Sequence, residues 1–330
     1  MMEYETFLNI ADITIRIKSE KNPEKENEKI SYRYKNFILN RSPGKIDIDL
    51  TLKIKPDFTR FNPEIIFETR REPVKINKRR RKKILIENKI QKKKEKYLGK
   101  GLEWRMGKVG KRILLEGGSS GGYQVLLNKD LKKGEIFIIN PEINNWEISD
   151  ICHGFLQILL IHYLAKYKLG IIIHSAGIKD GKNGYLFAGK SRAGKSTTSR
   201  IWDKNAKIQV LNDDRVIIRK ENNRFFTYPT PWHGDFSDYL KISLGKAELK
   251  SLFFIYHSKK NIAEKLSLKD NFNLFFQAVF PSFLDKDCLQ STSEILLDII
   301  LSVPCYKFGF KNDKRIIGYV RNLTADERHR

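Results

Sequence analysis

The sequence predicts a mixed chain, α+β to α/β, with a β-rich N-terminal domain over residues 1–144 and a phosphate-loop domain over residues 145–330. Two observations carry this. Short stretches of alternating or clustered apolar residues crowd the first half, whereas the second half runs helix, strand, strand, glycine-containing loop, helix, strand. A length of 330 residues is enough for two domains with cores of their own.

In the first half, Thr14–Lys18, Lys45–Ile54, Ile65–Phe67, Arg112–Leu115, Tyr123–Leu127 and Glu135–Ile139 read as strands, most of them half-buried. Gly117–Gly122 reads as a hairpin tip, because no Lys-Ser and no helix follow it. This half carries no catalytic motif. From Asn145 to Leu169, Trp146, Ile148, Ile151, Phe155, Ile158, Leu159, His162 and Tyr163 recur at helical spacing, with His153 and His162 as packing or surface residues. Gly170–Ile178 and Gly184–Ala188 form a hairpin around the turn Lys179–Gly184, and Ser196–Trp202 opens a helix. Ile208–Ile218, Arg224–Tyr228, Leu252–Tyr256 and Cys305–Phe310 read as strands, Phe272–Phe280 as a helix stopped by Pro281, and Ser291–Leu301 as a helix.

Chemistry concentrates in the second half. Gly189-Lys190-Ser191-Arg192-Ala193-Gly194-Lys195-Ser196-Thr197 is a complete G-x-x-x-x-G-K-S loop between a strand and a helix, the context that separates a phosphate loop from a chance match in a turn. Its backbone N–H groups converge at a helix N-terminus, where unpaired donors and the macrodipole favour an anion. Lys195 would reach the β- and γ-phosphates of ATP, and the Ser196 hydroxyl would ligate Mg²⁺. Asp213 and Asp214 follow, the first seventeen positions after Ser196, so that one helix fits between; a doubly wound sheet places its metal-binding Asp much further along. The pair faces the same Mg²⁺ or is a surface turn between two strands. In the first case one carboxylate stays ionised on the metal, and its charge raises the proton affinity of the other, which serves as base. The hairpin brings His174 toward the loop, although a lone His is more often a packed or surface group. Arg192 reads as a solvated cation, and Arg215 either assists with phosphate charge or is solvated.

Taken together, H-S-A-G-I at 174–178, G-K-S-R-A-G-K-S-T at 189–197 and N-D-D-R-V at 212–216 resemble the catalytic domain of HPr kinase/phosphorylase and its kinase relatives. That fold is shared with phosphoenolpyruvate carboxykinase, and the chain looks most like the HPr-kinase-related proteins found beside peptide-modification genes, which carry a similar T-P-W-x-G segment. The resemblance implies that His174 and Lys195 are active-site residues, that Ser196 binds Mg²⁺ and that Asp214 is the base toward the acceptor hydroxyl. Two departures stand out. Thr197 occupies the place of a Glu, and the L-E-x-R-G signature is missing, which leaves Asp235 as the nearest replacement carboxylate, or as a turn residue. Recognition of HPr and phosphorolysis do not follow from such a pattern; phosphoryl transfer from ATP to a Ser or Thr hydroxyl of a small protein or ribosomal peptide does.

Pro229 and Pro231 remove two amide donors from Pro229-Thr230-Pro231-Trp232-His233-Gly234-Asp235, which excludes a central strand and predicts a shaped loop crossing the surface. Trp232, His233 and Asp235 are then candidates for holding the acceptor, against a loop pinned by Trp232 in the core.

Charge and cysteines bound the partners. The formal charge of +24 is spread evenly, with 34 basic and 22 acidic groups over residues 1–150 and 29 and 17 over the rest. Lys78–Lys83 and Lys92–Lys96 concentrate it. Such runs suit nucleic acid, an anionic surface or an acidic peptide, or are simply solvated. A nucleotide-dependent regulatory or nucleic-acid-binding module without kinase activity is therefore the second reading, with nucleic acid not favoured as partner. Cys152, Cys288 and Cys305 lack metal-ligand spacing and read as reduced thiols, the start of the chain lacks a signal pattern, and Phe155–Leu164 is too short to span a bilayer. The expectation is a cytoplasmic protein without a membrane partner, compatible with a homo-oligomer.

Overall fold

The computed structural model describes residues 4–19, 32–53, 61–70, 102–117, 122–138, 148–205, 208–234 and 245–326. The basic runs within 78–96, residues 118–121 of the glycine-serine turn and Asp235 lie outside the described residues. The chain is mixed α/β, with two large mixed sheets and few helices, and divides into two compact units: residues 1–9 with 13–160, and residues 10–12 with 161–330. The division falls inside the helix Ile148–Lys166.

The first unit holds β1 (Tyr4–Ile10), β2 (Ile13–Ser19), α1 (Tyr32–Lys35), β3 (Ile48–Lys53), β4 (Glu64–Arg70), β5 (Leu102–Val109), β6 (Arg112–Gly117), β7 (Tyr123–Leu127) and β8 (Lys133–Ile138). Its sheet runs β1-β2-β3-β8-β7-β6-β5-β4, with β2, β3 and β8 parallel and the rest, from β8 through β4, paired antiparallel. β3 shows why the alternation is legible: Ile48, Leu50 and Leu52 are buried, while Asp49 pairs with Arg16 at 2.7 Å and Lys53 pairs with Glu135. The helix α2 (Ile148–Lys166) begins in this unit, where Phe155 packs edge-on against Tyr123 at 5.8 Å.

The second unit contains β9 (Gly170–Asp180), β10 (Asn183–Ala188), α3 (Lys195–Asn205), β11 (Gln209–Asn212), β12 (Arg215–Glu221), β13 (Arg224–Tyr228), β14 (Ala247–His257), β15 (Ile262–Lys265), α4 (Leu268–Phe276), β16 (Val279–Phe280), α5 (Lys286–Ser302), β17 (Cys305–Phe310) and α6 (Arg315–Asp326). Its sheet runs β10-β9-β12-β13-β14-β17-β15, and β14 also pairs with β10, so five strands return on themselves. β9 and β10 form the expected hairpin, Phe187 opposite Ala176. Both faces are buried, as an apolar run without polar alternation requires. Ile171, Ile173, Leu186 and Ala188 lie in one cluster with Phe275 of α4 and Leu296 and Ile299 of α5. Ala176, Ile178, Tyr185 and Phe187 lie in the other with Trp202 of α3 and Ile316 and Val320 of α6.

One helix is displaced from expectation at both ends. The helix over Phe272–Phe280 is instead α4 from Leu268 to Phe276, and Val279 and Phe280 pair with Ile173 and Ile172 as β16. The reason lies in Pro281, whose ring disfavours helical backbone in the residue before it and pushes Phe280 into extended conformation.

Candidate active site

Three parallel strands of the second unit end at one edge of its sheet. β10 runs beside β14 with Ala188 opposite Phe254, and β14 runs beside β17 with His257 opposite Phe310. That edge, past the carboxyl ends of parallel strands, is where ligands of such sheets bind. The loop Gly189–Gly194 leaves β10 there and enters α3 at Lys195.

Two glycines in this loop are required by its shape. A Cβ on Gly189 would come within 2.9 Å of the Ile255 carbonyl oxygen. Gly194 sits at φ +105°, and a Cβ there would lie 2.3 Å from Phe310 Cζ. Arg192 also adopts a left-handed backbone, at φ +64°, and its side chain is exposed. The Ala193 N–H donates to the Lys190 carbonyl at 3.1 Å, and the Thr198 N–H to the Gly194 carbonyl at 2.8 Å, closing the first turn of α3. His257 donates through Nε2 to the Arg192 carbonyl at 3.1 Å. Lys190 and Ser191 are exposed, and Ser196 and Thr197 are half-buried in that first turn.

Lys195 is folded back over the loop. Its Nζ donates to the Gly189 carbonyl at 3.0 Å and the Lys190 carbonyl at 3.3 Å. Burial lowers its pKa below the usual lysine value, and the carboxylates of Asp214 and Asp213 oppose that shift. The ammonium therefore feels both members of the Asp pair.

The pair itself lies in the turn between β11 and β12, and Asn212 builds that turn. Its Oδ1 accepts from the N–H groups of Asp214 at 2.8 Å and Arg215 at 3.0 Å, while its Nδ2 donates to the Thr230 carbonyl at 2.9 Å and to Thr230 Oγ1 at 3.2 Å. Asp213 is buried, and its Oδ1 accepts from the Gly234 N–H at 2.9 Å. Gly234 fits closely, since a Cβ there would lie 3.1 Å from Asp213 Oδ2. The main-chain oxygen of Asp214 accepts from the Ser175 N–H at 3.0 Å, and Arg215 pairs with His174 across β9 and β12. Register thus brings His174 and Asp214 together, with His174 Nε2 at 2.9 Å from Asp214 Oδ1. Arg215 holds Asp214 Oδ2. Phe280 braces both partners, its ring 5.4 Å from the Arg215 guanidinium carbon and stacked 6.3 Å from the His174 ring.

This arrangement corrects one electrostatic expectation. A neighbouring carboxylate was expected to raise the proton affinity of Asp214, yet its pKa lies below the usual aspartate value. Burial does push it up, but the hydrogen bond from His174 and the charges of Arg215, His174 and Lys195 outweigh burial. Asp214 is held ionised.

A second correction concerns the segment from Pro229 to His233, expected to cross the surface. All five residues are buried, Trp232 with no exposed area. Prolines carry no N–H group to leave unpaired, which lowers the cost of burying this irregular backbone. Thr230 is fixed further by its hydroxyl, which donates to the Arg215 carbonyl at 2.7 Å. Asn212, Thr230 and Phe280 are thus residues in contact with the candidate site that sequence reasoning passed over; only Asn212 left a local signal, an Asx turn directly before the Asp pair.

Among the described residues no group of three or more His, Cys, Asp or Glu could hold a metal by itself. Mg²⁺ needs no such cage, because it binds through one or two carboxylates together with substrate phosphates and water. The Ser196 hydroxyl and Asp213 are the donor types that suit it.

No protein-family model matches this chain, and no curated protein matches it. Among solved structures it is similar to the Hpr(Ser) kinase/phosphatase from Coxiella burnetii, at 15% identity and a TM-score of 0.28, over 48% of this chain and 98% of that chain. At that score the likeness is distant and carries no weight for activity. Among the described residues no helix is long and apolar enough to cross a membrane.

Proposed function

We propose that this chain is a phosphotransferase that moves the γ-phosphoryl group of ATP to a Ser or Thr hydroxyl of a small protein or peptide. The observation that supports it most is the Asp214 carboxylate, held by His174 and Arg215 within electrostatic reach of the phosphate-loop lysine Lys195. The loop N–H groups and Lys195 bind the nucleotide phosphates, and Ser196 and Asp213 hold Mg²⁺, which supplies charge neutralisation at the transferring oxygens. Asp214 accepts the hydrogen bond of the acceptor hydroxyl, orients it, and takes its proton. A lowered proton affinity is compatible with this role, because the phosphoryl transition state is loose and the hydroxyl becomes acidic only as its bond to phosphorus forms. His174 and Arg215 act by aiming the carboxylate and keeping it ionised. The three buried, unpaired thiols fit a reducing compartment, and the cytoplasm is the proposed location.

Asp214→Asn tests the assignment. Mg·ATP binding should stay near that of the wild type, while transfer to a mixture of Ser and Thr peptides, read by mass spectrometry, falls by a factor on the order of 10², the scale of a lost general base. Loss of metal binding in Asp214→Asn, with the rate effect appearing in Asp213→Asn instead, reverses the two roles.

A further inference from the structure

The sheet edge that carries the phosphate loop also carries a basic pocket. β14 ends at His257, which bonds to the loop through Arg192, and Lys259, Lys260 and Asn261 follow directly. β17 ends at Phe310, which packs beneath Gly194, and Lys311 and Arg315 follow. Together with Tyr319 of α6 these residues line a cavity of about 500 Å³, a size that suits a bound ligand or a few side chains of one. Its walls are tied to one another. Asn261 Oδ1 accepts from the Lys311 N–H at 2.8 Å, the Tyr319 hydroxyl accepts from the Ala263 N–H at 3.0 Å, and the Tyr319 ring stacks on Phe308 at 5.6 Å.

Charge at this pocket is one-sided. Lys259, Lys260, Lys311 and Arg315 are all exposed, and the neighbouring carboxylate of Asp313 is already taken by Arg315 at 2.6 Å and by Lys311 at 3.7 Å. Among the described residues Lys259 and Lys260 pair with no acid. A cluster of cations gathered at the rim of a phosphate site raises the local concentration of an anionic partner and fixes its register. We infer that this pocket seats acidic side chains of the acceptor, so that Asp or Glu residues flanking the acceptor hydroxyl dock beside the phosphate loop; the inference rests on the phosphotransferase reading. An oligonucleotide fits the site poorly. Strand binding uses open aromatic platforms, and the one aromatic ring in the lining, Tyr319, is stacked against Phe308 with its hydroxyl engaged.

The experiment measures binding of two fluorescent Ser peptides by anisotropy, one flanked by Glu and one by Gln, to the full chain and to Lys259→Glu/Lys260→Glu. A fluorescent ATP analogue is titrated alongside. The Glu peptide should bind the wild type more tightly than the Gln peptide, and the charge reversal should weaken it by about tenfold or more. Both substituted residues are exposed, so an unchanged melting temperature is expected, and Lys259→Gln/Lys260→Gln should give an intermediate loss. Equal binding of the two peptides, or no change on reversal, overturns the inference. So does loss of ATP-analogue binding on reversal, which would give the pocket to the nucleotide, or tighter binding of a single-stranded oligonucleotide than of the Glu peptide. Lys195→Ala separates the two claims: it should lose nucleotide binding while keeping the preference for the Glu peptide, and nucleotide binding that survives it counts against the phosphate loop while a retained preference leaves the pocket standing.

Discussion

Removing the side chain of Asn212 is the perturbation whose cost the structure fixes best. Asn212 is 1% exposed and makes four hydrogen bonds, two accepted from Asp214 and Arg215 and two donated to Thr230. Asn212→Ala strands the N–H groups of Asp214 and Arg215 and the carbonyl of Thr230, while the Thr230 hydroxyl keeps its bond to the Arg215 carbonyl. A buried polar group left without a partner costs about 1–3 kcal/mol, and since the turn around Asp214 is only partly buried, water recovers some of this; the total comes to roughly 3–5 kcal/mol. Against a stability of about 5–15 kcal/mol for an ordinary domain, that is a large share. Urea unfolding followed by circular dichroism and tryptophan fluorescence should show a lower midpoint with an unchanged slope. Asn212→Asp keeps an acceptor toward both N–H groups but turns its second oxygen onto the Thr230 carbonyl and buries a charge beside Asp213 and Asp214, so it should not restore stability near neutral pH. A loss below about 1 kcal/mol in Asn212→Ala would refute the reasoning that this residue pins the turn to the buried segment.

Two further outcomes follow from the same site. Trp232→Ala should destabilise the chain by about 3–5 kcal/mol, the scale for emptying a fully buried aromatic site, and transfer and background ATP hydrolysis should fall together; a selective rise in acceptor KM at unchanged melting temperature would place Trp232 at the acceptor instead. Asp214 has a folded-state pKa below its ordinary 3.8, so its ionised form contributes stability that is fully present above that value and is lost as the pH falls through the folded pKa. The stability advantage of the wild type over Asp214→Asn should therefore be steady near neutral pH and shrink in acid, and an advantage that grows on acidification contradicts the assigned shift.

The strand, loop and helix around Gly189–Lys195 were legible because the loop's shape restricts residue type: Gly189 and Gly194 have no room for a Cβ, and Lys195 opens the helix. The β9–β10 hairpin and the helix after the loop were legible through apolar runs and turn residues. What the sequence hid was mostly partnership. That His174 meets Asp214 depends on the register of β9 against β12, which no local pattern encodes. The two prolines at 229 and 231 excluded a strand correctly, but a backbone poor in donors is as suited to burial as to the surface, and only Trp232, with nowhere else to go, pointed inward. The end of α4 was readable in principle from Pro281. The final helix α6 shows apolar positions Ile316, Ile317, Val320 and Leu323 at helical spacing, a signal that was present and not used.

The central claim is that the loop from Gly189 to Thr197 binds nucleotide phosphates while Asp214 acts only in transfer. Isothermal titration of Mg·ATP into the wild type, Lys195→Ala and Asp214→Asn tests it most directly. The account predicts saturable binding to the wild type and to Asp214→Asn, and loss of most of that affinity in a folded Lys195→Ala. Absence of binding to the wild type, or binding that survives Lys195→Ala unchanged, would contradict it.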